Sequence, residues 1–365
     1  MTRRPARHVL VVGKFLPLHV GHLALLGHAR DVAGADGVVT VVVGPRWDEP
    51  ITPDRRVDWL VRCAPWARIV VAPETLPTSP AHAVDFWTPW VAALRRLAPH
   101  VTHVASSEGY GDELAARLDA VHVLFDPSRA RHPVSGTLIR RDLWGHWASL
   151  PVPVRETFTR TVALVGGESV GKTTLAARLA AHYDTCWVPE YGRTYTTVGA
   201  WQEADWAEQG TGSGAAAWTA DDAVRVGRAQ ALLVADARAT ARGLVITDTE
   251  QLTTAVWTEV AHVAVPATLW ELQRAQPADL YLLLEPDLPW EDDGTRRFGA
   301  IDFRHWFTDR LRGHLERLGL PWVAIGGDGD ARLGAAVAAI EGAKRRWFGD
   351  LARWDAALGS VAPLG

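Results

Sequence analysis

Two stretches of the chain combine residue types that handle phosphate. The first, "GKFLPLHVGH" at 13–22, sets His19 and His22 three residues apart around Gly21, with Lys14 upstream. It lies where an apolar run gives way to a helix pattern, and imidazoles beside the free N–H groups of a helix start make an anion pocket. Two packed core histidines are the alternative reading of that spacing alone. The second stretch, "GGESVGKT" at 166–173, fits G-x-x-x-x-G-K-[ST] between an apolar strand and an amphipathic helix. Its glycines let successive N–H groups turn inward around a phosphate. Lys172 would then reach the terminal phosphates and Thr173 would offer a hydroxyl to Mg²⁺. Gly167, Glu168, Ser169, Val170, Gly171 and Thr174 complete the loop. A glycine-rich turn that binds nothing is the bland alternative, and the full match with both flanks argues against it.

Other groups could assist. In "SGTLIR", Ser135 and Thr137 stand at a helix start with Arg140 one turn on, a second phosphate grip in the first half. Asp248 ends the apolar run "GLVITD", where an acid can meet a metal or cap the next helix. "WEDDGTRRFG" at 290–299 could close over a nucleotide as a lid, with Arg296 or Arg297 meeting phosphoryl charge; a solvated charged turn is its other reading.

The elements that must position these groups read as α/β. "HVLVVG", "GVVTVVVG", "RIVVAP", "HVTHVAS" and "VHVLFDP" predict five buried strands, with helical spacing in the segments between them. "GTLIRRDLWGHWASL" is expected to be one closing helix, and "PVPV" at 151–154 a stiff break. The pattern then restarts with "RTVALVGG", and "GLVITD", "DLYLLLEPD" and "PWVAIGG" predict further strands. Two doubly wound parallel-sheet domains follow, 1–154 and 155–365, with "GTGSGAAA" at 210–217 a flexible loop inside the second.

Composition bounds the function. A chain of 365 residues, 48% hydrophobic and 22% charged, can bury two cores. Its net charge of -4 argues against a nucleic-acid partner. No run approaches the about 18 apolar residues of a membrane span. The basic start leads into an apolar run, Val9 to Val12, that stops at Gly13-Lys14, too short for the apolar region of a signal peptide and without a small-residue cleavage site. Cys63 and Cys186 form no C-x-x-C pattern, which fits a reducing cytoplasm. The 18 tryptophans read mostly as packing. A homo-oligomer is left open.

Together "GKFLPLHVGH", "SSEGYG" at 106–111, "DPSRARHPVSGTLIRRD" at 126–142, "GGESVGKTTL", "PEYGR" at 189–193, "ITDTEQLTT" at 246–254 and "WEDDGTRRFG" have a family likeness. They resemble the nucleotidylyltransferase superfamily in the first half. Over nearly the whole chain they resemble the bifunctional nicotinamide-nucleotide adenylyltransferase/ribosylnicotinamide kinase family, the NadR type. That resemblance implies a Rossmann-like nucleotidylyltransferase domain followed by a P-loop kinase domain. The kinase would phosphorylate nicotinamide riboside to the mononucleotide, NMN, and the first domain would join NMN to the AMP part of ATP, giving NAD and pyrophosphate.

Carried over, Gly13, Lys14, Phe15, His19, His22, Ser135, Thr137 and Arg140 would hold ATP in the first domain. His19, His22 and Arg140 would be catalytic there, and Lys172 and Asp248 in the kinase. Thr173 and Asp248 would hold Mg²⁺, expected at both sites; Asp248 is alternatively the base for the riboside hydroxyl. Arg56, Glu190, Tyr191, Arg193, Trp290, Asp292 and Asp293 would face substrate, with Trp290 stacking on the pyridinium. Arg56 is alternatively paired with a surface acid, and Trp290 alternatively packing. Some relatives begin with a helix-turn-helix segment; the first strand here begins by about residue 8, so a DNA-binding role is not expected. Competing readings are an adenylyltransferase fused to a different small-molecule kinase, and a nucleotide-sensing regulator without turnover.

Overall fold

A computed structural model describes residues 6–44, 48–77, 85–198, 219–261, 263–291 and 298–358. The chain divides into two compact units: Met1–Thr157 together with the chain from Phe348 on, and Phe158–Trp347.

In the first unit β1 (His8–Gly13), β2 (Val38–Val43), β3 (Arg68–Val71), β4 (His103–Ser106) and β5 (Val121–Leu124) form one parallel sheet in the order β3-β2-β1-β4-β5. The strand order reverses beside β1, which is where open α/β sheets leave a crevice at the carboxyl ends of their strands. Val9, Leu10 and Val11 of β1 are fully buried, because helices cover both faces. Those helices are α1 (Val20–Ala33), α2 (Pro53–Cys63), α3 (Trp87–Leu97) and α4 (Tyr110–Arg117). Leu10, Val42, Leu94, Val104 and Leu114 share one core cluster.

The closing segment departs from expectation. Its helix, α5 (Gly136–Arg141), stops after six residues, and a 3₁₀ turn follows at Trp147–Ser149. Asp142 is the cause: its carboxylate accepts from the Gly145 N–H at 2.8 Å, a local bond that competes with the helix ladder. "PVPV" does not break the chain either. It opens α6 (Val152–Phe158), since proline is tolerated in a first helical turn, where its missing N–H has no partner to lose.

The second unit repeats the architecture. β6 (Arg160–Val165), β7 (Cys186–Val188), β8 (Leu244–Asp248), β9 (Leu280–Leu284) and β10 (Trp322–Ile325) form a parallel sheet in the order β10-β9-β6-β8-β7. Every residue of β8 and β9 is buried. The three-residue β7 was not among the expected strands; it is an edge, too short to carry a period. Around the sheet stand α7 (Lys172–His182), α8 (Tyr191–Val198), α9 (Ala220–Thr240), α10 (Gln251–Val260), α11 (Ala267–Ala275), α12 (Ile301–Arg317) and the part of α13 (Gly329–Leu358) that precedes Phe348. The expected loop at 210–217 lies outside the described residues. Among the described residues no helix is long and apolar enough to cross a membrane. Both sheets and their helices bear out the α/β, doubly wound fold class.

One buried acid in this unit makes a stability prediction. Glu250 caps α10, accepting from the Leu252 N–H at 2.9 Å, while its Oε2 is buried without a partner. Burial pushes the carboxyl up to about 8, with only partial offset from backbone N–H groups. The native state therefore holds a proton that the unfolded chain releases above its ordinary 4.5, so this residue costs stability as pH rises from 4.5 to about 8. Relative to Glu250→Gln, the wild-type chain is expected to lose roughly 3 kcal/mol between pH 4.5 and 7. Denaturant unfolding of both proteins across that range checks it; parallel pH profiles would refute it.

Candidate active sites

In the first unit the β1–α1 loop and the start of α5 meet over one cavity of about 560 Å³. Gly13, Lys14, Phe15, His19, His22, Ser135, Thr137 and Arg140 all line it. The two motifs lie more than a hundred residues apart, and Arg140 joins them: its guanidinium donates to the Leu16 carbonyl and to Thr137 Oγ1, the latter at 3.1 Å. The contact requires glycine at 136, where a Cβ would lie 2.7 Å from the Leu16 oxygen. Ser135 caps α5 by accepting from the Leu138 N–H.

His19 occupies the N-cap of α1 without making a cap hydrogen bond, so its ring is free for another task. It stacks on His22 with centroids 3.8 Å apart, and Phe15 backs His22 at 5.0 Å. Nδ1 of each imidazole is buried with no partner, and a pair of orphaned ring nitrogens in a cavity invites a ligand that can accept. Burial holds both imidazoles well below their ordinary range, His22 down to about 3; His22 and Arg129 add repulsion at His19, and Arg129 at His22. Both are therefore neutral N–H donors near pH 7. Fixed positive charge comes instead from Lys14, Arg129 and Arg140 around the rim.

Arg56 needs a correction. Its side chain is fully buried and does not line the cavity. The guanidinium pairs with Glu49 at 2.7 Å and donates to the Lys14 carbonyl at 3.0 Å, while Lys14 Nζ lies 3.5 Å from the same Glu49. A buried arginine so placed fixes the backbone that carries Lys14 rather than lining the cavity. Its acid is likewise buried, not on the surface.

Ser106, His122 and Asp112 line up at 2.8 and 2.7 Å in the manner of a hydrolase triad. Ser106 is 2% exposed and its hydroxyl donates to the Glu108 carbonyl. No nucleophile is presented; the chain of bonds braces the loop bearing Ser107, Glu108 and Tyr110, which do line the cavity.

In the second unit the loop from Gly166 to Gly171 wraps the N-terminus of α7. Ser169 and Gly171 have φ of 56° and 80°, left-handed positions that turn consecutive N–H groups inward into an anion-binding nest. Lys172 Nζ donates to the carbonyls of Gly166 and Gly167 at 3.0 and 2.7 Å, folded over the place a phosphate would take. Thr173 Oγ1 donates to Asp248 Oδ2 at 2.5 Å, and Asp248 Oδ1 is buried without a partner. A hydroxyl beside a carboxylate with a spare oxygen suits a hard cation such as Mg²⁺, which prefers oxygen and needs few protein ligands.

Two arginines that sequence reasoning missed secure the loop from behind. Arg332 donates to the Val170 carbonyl at 2.7 Å and pairs with Asp287, and Arg304 donates to the carbonyls of Ser169 and Leu288. Both are buried. By engaging loop carbonyls they leave the N–H groups facing the opposite way. They lie more than 130 residues along the chain from the loop, so no local spacing announces them. Arg129 was within a quoted motif but was not singled out.

On the substrate side Glu190 follows β7 and Asp248 ends β8, the neighbouring strand. Burial raises the Glu190 carboxyl, Lys172 offsets part of this, and Asp248 adds repulsion. Arg193 lies 4.0 Å from Glu190, and the Tyr191 ring is 6.3 Å from that of Tyr195. Trp290 packs against Gly299, where a Cβ would lie 2.8 Å from the ring, and its buried Nε1 has no partner. The P-loop grips both flanks of the segment after Trp290: Ser169 Oγ donates to the Glu291 carbonyl at 3.1 Å, and Glu168 accepts from the Phe298 N–H at 2.9 Å. Asp292, Asp293, Arg296 and Arg297 lie outside the described residues.

A family model described as an AAA domain matches residues 161–332. The "Trifunctional NAD biosynthesis/regulator protein NadR" of Escherichia coli K12 is 29% identical over 336 residues, covering 87% of this chain and 78% of that protein. Its Salmonella typhimurium LT2 counterpart is 28% identical over 342 residues, 88% of this chain and 80% of that one. A crystal structure of a NadR protein in complex with NR superposes with a TM-score of 0.69 at 21% identity, covering 95% of this chain and 97% of the other. A NadR complex with NAD and AMP-PNP gives 0.68 at 20% identity, with 94% and 96% coverage.

Proposed function

We propose that this NadR-type chain is a bifunctional enzyme of NAD salvage, whose second unit phosphorylates nicotinamide riboside with ATP and whose first unit adenylylates the resulting NMN. The observation that carries the reading is the presence of two separate phosphate constellations, an imidazole pair over a cavity and a glycine-rich nest, in a chain related to NadR proteins over most of its length.

In the first unit an NMN phosphate oxygen forms a bond to the α-phosphorus as the bond to pyrophosphate breaks, with no covalent enzyme intermediate. Catalysis is then positioning and charge stabilisation. His19 and His22 donate their ring N–H groups to the departing pyrophosphate, and Arg140 fixes the Leu16 turn against α5 while presenting its charge to the phosphates. Lys14, held by Glu49 and the buried Arg56, adds charge at the rim.

In the second unit Lys172 swings from the Gly166 and Gly167 carbonyls onto the terminal phosphates. Asp248 already holds the Thr173 hydroxyl and so serves the metal side, which leaves Glu190 to take the proton of the attacking riboside hydroxyl. A carboxyl raised by burial is suited to that work. Mg²⁺, entering with ATP and held by Thr173 and Asp248, would neutralise phosphate charge. Arg193, Tyr191 and Trp290 form the wall against the riboside. The free thiols Cys63 and Cys186 are consistent with work in the cytoplasm.

The direct test supplies the pure protein with nicotinamide riboside, ATP and Mg²⁺. NMN is expected first and NAD second, and NMN supplied alone with ATP should give NAD. Failure to form either product would end this reading.

A further inference from the structure

Asp248 ends β8, and Glu190 lies just beyond its neighbour β7, an edge strand only three residues long. β7 meets β8 last at Val188 opposite Thr247, so nothing in the ladder itself secures the residues beyond. Among the described residues a side chain from α9 does so. The Gln230 carboxamide, 1% exposed, accepts from the Tyr191 N–H at 2.8 Å and donates to the Pro189 carbonyl at 3.3 Å. It therefore holds the residues on both sides of Glu190. Its second donor bond, 3.0 Å long, goes to Thr247 Oγ1, whose own O–H donates to the Thr249 carbonyl at 2.7 Å. Those residues bracket Asp248 in the same way.

The bracket restrains an uncommon conformation. Thr249 has φ of 81°, an uncommon setting for a β-branched residue. The carbonyl bond from Thr247 and the Thr249 N–H bond to the Leu164 carbonyl, at 3.0 Å, keep it there. Two like-charged groups also resist being held together, so a rigid frame is needed if both are to face one phosphoryl transfer. The frame calls for an acceptor and two donors on one short planar group, and only a carboxamide side chain offers both. A carboxylate in its place would lose both donors and add a third negative charge.

Resting on the kinase reading above, we propose that Gln230 is a positioning residue of the second unit, its buried carboxamide setting the placement of Glu190 relative to Asp248. It touches neither substrate nor nucleotide. It acts through the backbone of both strand tips, and Thr247 is its relay.

The test uses the full-length protein. Gln230→Met keeps the volume and removes all three bonds; Thr247→Val removes the relay hydroxyl and Thr247→Ser keeps it. Riboside phosphorylation is measured as kcat and KM for each substrate, with NAD synthesis from NMN as a check that the first unit is intact. Gln230→Met is expected to lower the phosphorylation kcat by about 10²-fold, the loss a small misplacement of reacting groups produces. KM for ATP should stay within about twofold, since the P-loop is secured by Arg304 and Arg332. Thr247→Val should lose a smaller part and Thr247→Ser should recover it, a rescue that a merely structural role would not produce. Should Gln230→Met fail to fold, the threonine pair decides the matter alone. A wild-type kcat in Gln230→Met, or equal losses in both threonine variants, overturns the proposal while the function stands. A wild-type protein that makes no NMN overturns both.

Discussion

Lys172→Ala is expected to reduce riboside phosphorylation by about 10²–10³-fold or more while leaving NAD synthesis from NMN unchanged. The phosphoryl group in flight carries its charge on peripheral oxygens, and catalysis there is almost wholly positioning and electrostatics. In the proposed reaction Lys172 would take that role from its perch over the Gly166 and Gly167 carbonyls. Alanine removes the mobile charge yet leaves the nest's N–H groups, backed by Arg304 and Arg332, so ATP should still bind, more weakly. The loss should therefore fall mainly on kcat. Steady-state assays of the two half-reactions measured separately decide it. An unimpaired kinase would mean that the glycine-rich loop is not where ATP reacts, and a parallel loss of NAD synthesis would mean that the two activities share a site.

His22→Ala, or His19→Ala, is expected to cost NAD synthesis about 10²–10³-fold and to spare the kinase. Neither ring makes a bond that the fold needs: His19 caps α1 without a side-chain hydrogen bond, and the Nδ1 atoms of both are unpartnered. In the proposed reaction they would supply two N–H donors held in place by their stacking. The pH profile separates this from catalysis by imidazolium. Burial depresses both rings, His22 to about 3, so the neutral form prevails throughout pH 6–8 in the free protein. The kcat/KM for ATP should show no histidine limb near the ordinary 6.5, and such a limb, lost in the alanine variants, would refute the neutral-donor role. The sign for stability follows from the same depression. The unfolded chain takes up protons below 6.5 that the folded rings refuse, so stability falls as pH drops from 6.5 toward their folded values.

Much of this was readable from order and spacing alone. Runs such as "GVVTVVVG" and "GLVITD" become buried parallel strands because burial on both faces demands continuous apolar residues, a local and periodic signal. The P-loop is likewise local: eight consecutive residues contain the turn, the nest and the lysine. The imidazole motif and "SGTLIR" were each recognisable, and the likeness of the chain as a whole to NadR proteins is borne out by the comparisons. The Asp142 turn that shortens α5 belongs to the same class, since its partner Gly145 is three residues away; the helical period simply outweighed it in the reading.

What the primary structure could not convey is which polar side chains face inward, and toward what. Arg56 looked like a substrate ligand, and only packing reveals that Glu49 has claimed it in a fully buried pair. Arg304, Arg332 and Gln230 reach partners far along the chain or across a strand boundary, with no period to betray them. Local sequence determines that a strand ends in an acid or that a loop is rich in glycine, because those are properties of neighbouring residues. The placement of two acids against each other, and of a loop's carbonyls away from its phosphate, is decided by directional bonds between distant segments, and these exist only once the sheets have closed.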